Sequence, residues 1–287
     1  MIEEFFQAVL DQHCYGSLLK DSRSVGGGCI NHTARLTTND GTYFLKWNQA
    51  IENELFETEA KGLKSLEESS PLRLPQVLGQ GKQKDKAYLL LEWIESGYAE
   101  STSWKSFGEG LAQLHRTSAP QFGLDYDNFI GRLPQQNRPH IQWADFFRQE
   151  RLEPQLQLAS SKKLIDSSLR SSFDRLFPIL HQLVPAEVPA LLHGDLWSGN
   201  FMMDQDASPV LVDPAIYFGH RETELAFTHL FGGFDNQFYA AYHSNYPLEQ
   251  GFEERIEIHN LYPLLVHVNL FGSAYLSGIK QTLKRFT

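Results

Sequence analysis

An aspartate, an asparagine and a second aspartate have the order and spacing of a phosphoryl-transfer site. Asp195 precedes Asn200 by five positions, and Asp213 follows after thirteen more, at the end of the apolar run Val210-Leu211-Val212. In phosphoryl transfer to a hydroxyl, one Asp accepts the hydroxyl proton while an Asn and a later Asp hold Mg²⁺. A short loop and a β-hairpin would bring these side chains together at the phosphates of ATP. We therefore predict that Asp195 is the base and that Asn200 and Asp213 are the metal ligands.

A lysine and a glutamate in the first third of the chain are candidates for orienting the phosphates. Lys46 stands between two apolar residues of a predicted strand, so alternation turns its side chain to the opposite face. A predicted helix follows, in which Glu59 shares the inward side of Phe56 and Leu63. We expect Lys46 to bind the α- and β-phosphates and Glu59 to orient it. A solvated lysine on an edge strand is the ordinary alternative.

A run of glycines between two predicted strands is a candidate phosphate loop. Glycine permits backbone conformations that let amide groups approach a phosphate closely. The run lacks the G-x-G-x-x-G spacing, and such a run in a hairpin is more often only a turn. Because Lys46 follows at the right place, we predict that the loop binds the nucleotide through Gly26, Gly27, Gly28, Cys29 and Ile30.

Composition and charge exclude several classes of partner. The chain has 287 residues, 41% of them hydrophobic, which can supply one large core or two smaller ones. A formal net charge of −10 argues against a nucleic-acid or anionic membrane surface. No apolar stretch reaches the roughly 20 residues of a membrane span. An acidic, amphipathic start without signal-peptide features, and the two cysteines Cys14 and Cys29, predict a cytoplasmic protein.

Periodicity predicts a β-rich first third and a helical remainder. Strands are expected in segments 22–38, 42–47, 76–80 and 87–92, with turns at 39–41 and 81–85 and a helix at 53–67. Helices are expected at 104–117, 141–158, 169–183 and 222–231, with two more towards the carboxyl end, and strand-like pieces at 200–203 and 209–213.

This order of elements predicts an α+β, bilobal, protein-kinase-like fold. The small β-rich N-lobe would comprise residues 1–93 and carry the ATP phosphate loop. The larger, mainly helical C-lobe would comprise residues 94–287 and carry the catalytic loop, the metal ligands and the substrate site. Glu92, Trp93 and Ile94 stand where the lobes join, and we count them among the nucleotide-binding residues.

Five sequence blocks carry a resemblance that extends over almost the whole chain. They are 26–31, 122–131, 143–156, 191–200 and 213–234. Together they resemble the fructosamine kinase family (ketosamine-3-kinases), relatives of aminoglycoside phosphotransferases and choline kinases. The glycine loop alone is unspecific, whereas the combined blocks are specific.

The resemblance implies an ATP- and Mg²⁺-dependent kinase that phosphorylates the sugar O3 of a small or protein-bound ketoamine. Elimination of the 3-phosphate would release the amine and a dicarbonyl, which is a deglycation reaction. The resemblance also implies that His220, Arg221 and Glu224 shape the sugar side, since a helix could aim His220 and Glu224 the same way. Trp197 either lines the substrate site or wedges the loop against the core.

Other interpretations stay open at this point. A phosphotransferase acting on an aminoglycoside, choline or homoserine would share Asp195, Asn200 and Asp213. A nucleotide-binding pseudokinase would be expected to have lost one of them or Lys46. Cys29 is either a redox-sensitive thiol that can link two chains or a small residue that fills a turn. Fructosamine, ribulosamine and erythrulosamine adducts all remain candidate substrates, and the chain could be a monomer or a redox-linked dimer through Cys29.

Overall fold

A five-stranded antiparallel sheet forms the first third of the chain in a computed structural model that describes residues 2–26, 31–49 and 53–287. The strands are β1 (Leu19–Ser24), β2 (His32–Thr38), β3 (Thr42–Gln49), β4 (Val77–Gln83) and β5 (Lys86–Glu92), in the order β1-β2-β3-β5-β4. Helix α1 (Ile2–His13) precedes the sheet, and α2 (Asn53–Ser69) lies between β3 and β4.

The two helices cover opposite faces of this sheet because side chains alternate along each strand. Phe6 and Leu10 of α1 belong to one apolar cluster with Leu90 of β5. Phe56 of α2 belongs to a second cluster with Leu89, the adjacent residue of the same strand. The apolar run in β5 is therefore buried on both faces.

The remaining elements are mainly helical. They are α3 (Ser101–Leu114), β6 (Asn128–Ile130), β7 (Leu133–Gln135), α4 (Trp143–Phe146), α5 (Glu153–Ser161), α6 (Ser167–Leu176), α7 (Leu180–Leu183), β8 (Ala190–Leu192), β9 (Phe201–Met203), β10 (Pro209–Leu211), β11 (Tyr217–Gly219), α8 (Arg221–Thr228), α9 (Asn236–Asn245), α10 (Phe252–His259), α11 (Leu261–Phe271) and α12 (Leu276–Phe286). A π-helical turn, Phe147–Leu152, joins α4 to α5, and short 3₁₀ turns lie at Phe177–Ile179, Leu230–Gly232 and Ser273–Tyr275.

Three short antiparallel strand pairs hold the loops that carry the polar motif. β8 pairs with β11, β9 with β10, and β6 with β7. The loop from β8 to β9 contains Asp195 and Asn200, and the segment from β10 to β11 contains Asp213. The pairing of these strands therefore brings two distant parts of the sequence to the same place.

The α+β class and most predicted elements are confirmed. The turn predicted at 81–85 is wrong in its first part, because β4 continues to Gln83 and the chain reverses at Lys84, whose φ is 56°. Four helices rather than two lie beyond position 235, and strands β6, β7, β8 and β11 were not expected. The division of the chain at 93/94 stays a prediction. No helix in the described ranges is long and apolar enough to cross a bilayer.

Candidate active site

Lys46 forms the predicted ion pair with Glu59. Leu45 joins the apolar cluster on the α1 side, and the next side chain, Lys46, therefore points to the α2 side. Its Nζ lies 2.7 Å from Glu59 Oε1 and also contacts Asp213 Oδ1. Burial disfavours the ammonium, but the carboxylates of Asp213 and Glu59 outweigh it and raise the pKa of Lys46. Lys46 is therefore a buried, permanently charged group.

Glu224 of α8 fixes the loop that carries Asp195 through hydrogen bonds to its backbone. The backbone N–H groups of His193 and Gly194 donate to the Glu224 carboxylate at 3.0 and 2.6 Å. His115 Nε2 lies 2.9 Å from the same carboxylate, and the side chains of His115, His193 and Glu224 are all buried. Gly194 has a φ of +84°, and a Cβ on it would lie 2.0 Å from the carbonyl oxygen of Ala215. Glycine is therefore required at this position.

His193 packs the loop and does not face the cleft. Its Nδ1 accepts the backbone N–H of Asp195 at 3.3 Å, so the proton is on Nε2, which donates to the Val212 carbonyl at 2.9 Å. Burial lowers the pKa of His193, which keeps the ring neutral. His193 thus connects the Asp195 loop to the segment that leads to Asp213.

Asp195 and Asn200 are in direct contact. Asn200 Nδ2 donates to the side-chain Oδ2 and to the backbone oxygen of Asp195, both at 2.8 Å. Burial raises the pKa of Asp195 well above its usual range; the amide of Asn200 opposes this effect, and the carboxylates of Asp213 and Glu224 add to it. A carboxylate with a raised pKa is a stronger base than an exposed aspartate.

Asp213 has a left-handed backbone and a half-exposed side chain. Its φ is 57°, which few residues other than glycine adopt. One carboxylate oxygen contacts Lys46. Within the described ranges, no donor contacts its other oxygen or Asn200 Oδ1. Carboxylate and amide oxygens are ligands that Mg²⁺ accepts, so the side chains present fit this ion.

One cleft of about 530 Å³ collects these groups. Its lining includes Lys46, Glu59, Asp195, Asn200 and Asp213. Six aromatic side chains line it as well: Phe129, Trp197, Phe231, His267, Phe271 and Tyr275. The structure therefore brings six of the predicted site residues into one cavity, and Trp197 lines it rather than only wedging the loop.

The structure describes only one residue of the predicted phosphate loop, Gly26. Gly27, Gly28, Cys29 and Ile30 lie outside the described residues. Gly26 lies in a separate groove with Ser24 and Trp47. The role of the glycine loop in nucleotide binding stays a prediction.

Glu92, Trp93 and Ile94 lie at the end of β5 and outside the lining described for the cleft. Glu92 pairs with Arg73 at 2.7 Å, and Arg73 also reaches Asp204 of the helical part at 2.6 Å. Trp93 lies under the guanidinium of Arg35, and Ile94 is buried. Their assignment to the nucleotide site also stays a prediction.

His220 and Arg221 lie outside the lining described for the cleft, so their predicted place on the sugar side stays a prediction. His220 caps α8, since its Nδ1 accepts the N–H of Glu222 at 3.3 Å and its Nε2 donates to the Pro185 carbonyl at 3.1 Å. Arg221 forms a bidentate pair with Glu187. Both side chains are buried and belong to the packing around α8. The helix begins after His220, so the spacing argument that linked it with Glu224 does not hold.

Glu224 also lies outside the lining described for the main cleft, and its predicted place on the sugar side stays a prediction. It supports the backbone before Asp195 instead of lining the main cleft. Sequence reasoning did not identify His115 as its partner, nor Phe231, His267, Phe271 and Tyr275 as lining residues. Phe231-Gly232-Gly233 is a local signal that could have identified this segment, because paired glycines favour irregular backbone, whereas a helix was predicted up to Phe231.

Comparisons with known proteins identify the family of this chain. The fructosamine kinase family matches residues 1–287. A probable ketoamine kinase of Enterococcus faecium is 41% identical over 264 residues, covering 91% of this chain and 94% of the relative. A chloroplastic protein-ribulosamine 3-kinase of Oryza sativa subsp. indica is 38% identical over 260 residues, covering 89% of this chain and 75% of the relative.

Solved structures show the same fold. A chain from Thermobifida fusca, provisionally named fructosamine-3-kinase, superposes with a TM-score of 0.87 at 32% identity, covering 99% of this chain and 98% of that one. The aminoglycoside phosphotransferase APH(4)-Ia superposes with a TM-score of 0.64 at 15% identity, covering 100% of both chains. The predicted protein-kinase-like fold, which this chain shares with aminoglycoside phosphotransferases, is confirmed.

Proposed function

The chain belongs to the fructosamine kinase family, and from this premise we propose that it transfers the γ-phosphoryl group of ATP to O3 of a ketoamine. The observation that carries the proposal is the presence of Asp195, Asn200, Asp213 and the Lys46–Glu59 pair in one cleft. These are the parts that phosphoryl transfer to a hydroxyl requires. The named activities of the ketoamine and ribulosamine kinases among its relatives support the same acceptor class.

The chemical step follows from the position of Asp195. Its carboxylate accepts the proton of the O3 hydroxyl while O3 forms a bond to the γ-phosphorus and the bond from that phosphorus to the β,γ-bridging oxygen breaks. ADP is the leaving group. Lys46 holds the α- and β-phosphates, and most of the rate enhancement comes from positioning and charge stabilisation.

Asn200 and Asp213 would hold Mg²⁺, which would supply neutralising charge at the phosphates when bound. In the described structure Asp213 is held by Lys46. Asn200 also orients the catalytic base, because its amide nitrogen donates a 2.8 Å hydrogen bond to the Asp195 carboxylate. A need for ATP fits the expected cytoplasmic location.

The product would lead to deglycation. A ketoamine 3-phosphate can tautomerise to the 1,2-enaminol, from which phosphate leaves C3. Water then hydrolyses the resulting imine, which yields the free amine and a 3-deoxy dicarbonyl. The enzyme is needed only for the phosphorylation, because the elimination follows from the chemistry of the product.

The test is transfer from Mg-ATP to a panel of acceptors: fructosyl-lysine, ribulosyl-lysine, choline and an aminoglycoside. We expect ketoamine-dependent ADP formation and a 3-phosphate product by ³¹P NMR. Asp195→Asn should lower kcat by about 10²–10⁴-fold while nucleotide binding, measured by calorimetry, persists. Transfer only to choline or the aminoglycoside would overturn the acceptor class, and activity unchanged in Asp195→Asn would overturn the assignment of the base.

A further inference from the structure

Five aromatic side chains form one continuous wall of the cleft beside Asp195. We call Trp197, Phe231, His267, Phe271 and Tyr275 the aromatic wall; all five line the cleft. Ring centroids lie 5.8 Å apart for Trp197 and Phe231, 4.8 Å for Phe231 and His267, and 5.0 Å for His267 and Tyr275. These are the distances of packed aromatic pairs, so the wall is a single built surface.

The wall is assembled from separate segments and remains partly open. Trp197 comes from the Asp195 loop, Phe231 from the 3₁₀ turn after α8, and Tyr275 from the 3₁₀ turn after α11. Phe231 is 39% exposed and Phe271 is 49% exposed, although the fold buries most other phenylalanines. Phe231 also has a φ of 57°, a costly conformation for a bulky residue. An exposed, strained aromatic surface in a cleft indicates ligand binding.

The wall itself is electrically neutral. His267 Nδ1 donates to the Pro263 carbonyl at 2.7 Å, and burial lowers the pKa of His267 despite that hydrogen bond. Of the carboxylates described in the cleft lining, Glu59 and Asp213 are paired with Lys46. Asp195 is the remaining one, and its described partner is the uncharged amide of Asn200. The wall therefore presents the negative faces of aromatic rings beside Asp195 and carries no positive charge that would repel a cation.

A ketoamine places a cation at this position. Its nitrogen is bonded to C1, two carbons from the C3 that carries the reacting hydroxyl, and it is protonated at neutral pH. We propose that the aromatic wall recognises this ammonium group through cation–π contacts when O3 lies against Asp195. This inference rests on the proposed function and adds to it the group that distinguishes a ketoamine from a neutral ketose. The substituent on the nitrogen then extends out of the cleft past the exposed rings of Phe231 and Phe271.

The experiment compares two acceptors that differ in charge. An N-butyl ketoamine and the 1-O-butyl ether of the same ketose have nearly the same size, and only the first carries a cation. The ether is measured as a substrate or, if it is not phosphorylated, as a competitive inhibitor. We expect the wild-type enzyme to bind the ketoamine more tightly by about 3- to 30-fold, the range of a cation–π contact.

Variants assign this preference to the wall. Tyr275→Leu should raise KM for the ketoamine by about 3- to 30-fold, leave kcat nearly unchanged and leave binding of the ether unchanged. Tyr275→Phe, which keeps the ring, should retain the wild-type preference. Tyr98→Leu removes a tyrosine that is 92% exposed and does not line the cleft, and it should have no effect.

The two proposals fail in different ways. Equal binding of ketoamine and ether by an enzyme that phosphorylates ketoamines would overturn recognition of the cation and leave the kinase function standing. Equal loss of both acceptors in Tyr275→Leu, or a failure of Tyr275→Phe to restore the preference, would assign the wall a steric role and also overturn the inference. The absence of any ketoamine phosphorylation would instead overturn the proposed function.

Discussion

The backbone N–H of Gly194 lies 2.6 Å from Glu224 Oε1, so a side chain of α8 fixes the position of the residue before Asp195. The second oxygen of Glu224 accepts from His193 N–H at 3.0 Å and faces His115 Nε2 at 2.9 Å. An ionised carboxylate can accept several such bonds, and burial makes them strong. The position of the loop that carries Asp195 therefore depends on Glu224, which lies outside the main cleft.

Glu224→Gln tests this dependence. The amide keeps the shape but replaces one acceptor oxygen with a donor, so one N–H of the loop or His115 loses its partner. We expect a loss of about 1–3 kcal/mol in the free energy of unfolding and a fall in kcat of about tenfold or more from a displaced loop, with KM for ATP unchanged. Urea denaturation and steady-state kinetics measure both. Glu109→Gln, on the exposed face of α3, is the control, and a normal kcat in Glu224→Gln would contradict the positioning role.

The buried pair of Lys46 and Glu59 predicts a non-additive stability effect. Lys46→Met leaves the Glu59 carboxylate buried without its cation, which should cost about 3–5 kcal/mol. Adding Glu59→Gln removes that charge, so the double variant should be more stable than Lys46→Met alone. Urea denaturation of the wild type, both single variants and the double variant gives the coupling energy.

Lys46→Met, alone or combined with Glu59→Gln, should also abolish phosphoryl transfer, because the phosphate-binding cation is absent. Additive losses of stability in the double variant would show that Glu59 is not held as an ion by Lys46.

Local periodicity explains which parts of the fold could be predicted. The side-chain alternation around Lys46 and the helical spacing of Phe56, Glu59 and Leu63 each lie within one element, and the structure has them as expected. The strands β6, β7, β8 and β11 contain only three residues each. Three residues are too few to show alternation; β9 and β10 are equally short and were expected because they bracket the Asp195 motif and Asp213.

The contacts of the site were predictable where its residues are close in sequence or belong to the phosphoryl-transfer pattern, as Lys46 and Asp213 do. Asp195 and Asn200 are five positions apart and meet as expected. Glu224 meets Gly194 across thirty positions and His115 across 109, and no local pattern shows that a carboxylate will accept backbone N–H groups. For His220 the spacing argument was wrong, because the four-residue interval to Glu224 assumed a helix that in fact begins at Arg221.

Two helical glycines predict opposite effects of alanine. A Cβ on Gly108 of α3 would lie 2.2 Å from the backbone oxygen of Phe238 in α9, which cannot move aside. A Cβ on Gly278 of α12 would lie 3.3 Å from Cδ1 of Leu264, the flexible end of a side chain. Gly108→Ala should destabilise the protein by about 1–3 kcal/mol, whereas Gly278→Ala should be neutral or stabilising by up to about 1 kcal/mol. Thermal and urea unfolding compare them, and equal effects would contradict the close approach of α3 and α9.

His220 predicts a loss of stability on mild acidification. Burial, and secondly the neighbouring His259, lower the pKa of His220 to about 3, although Glu222 opposes this. The charges of Arg221 and of Glu187, 3.9 Å away, also face it. In the unfolded chain the ring takes up a proton near pH 6.5, whereas in the folded protein it stays neutral down to about pH 3. The stabilisation is therefore complete above pH 6.5 and is lost progressively as the pH falls towards 3.

Between pH 7.5 and pH 5.5 this group alone should lower the free energy of unfolding by about 1.4 kcal/mol. His220→Asn keeps an oxygen that can cap α8 but cannot titrate, so its stability should change less over this interval. His181→Asn, at an exposed position, should retain the wild-type dependence. Urea denaturation of these three proteins at the two pH values gives the comparison. A dependence in His220→Asn as steep as in the wild type would show that other groups cause the acid sensitivity.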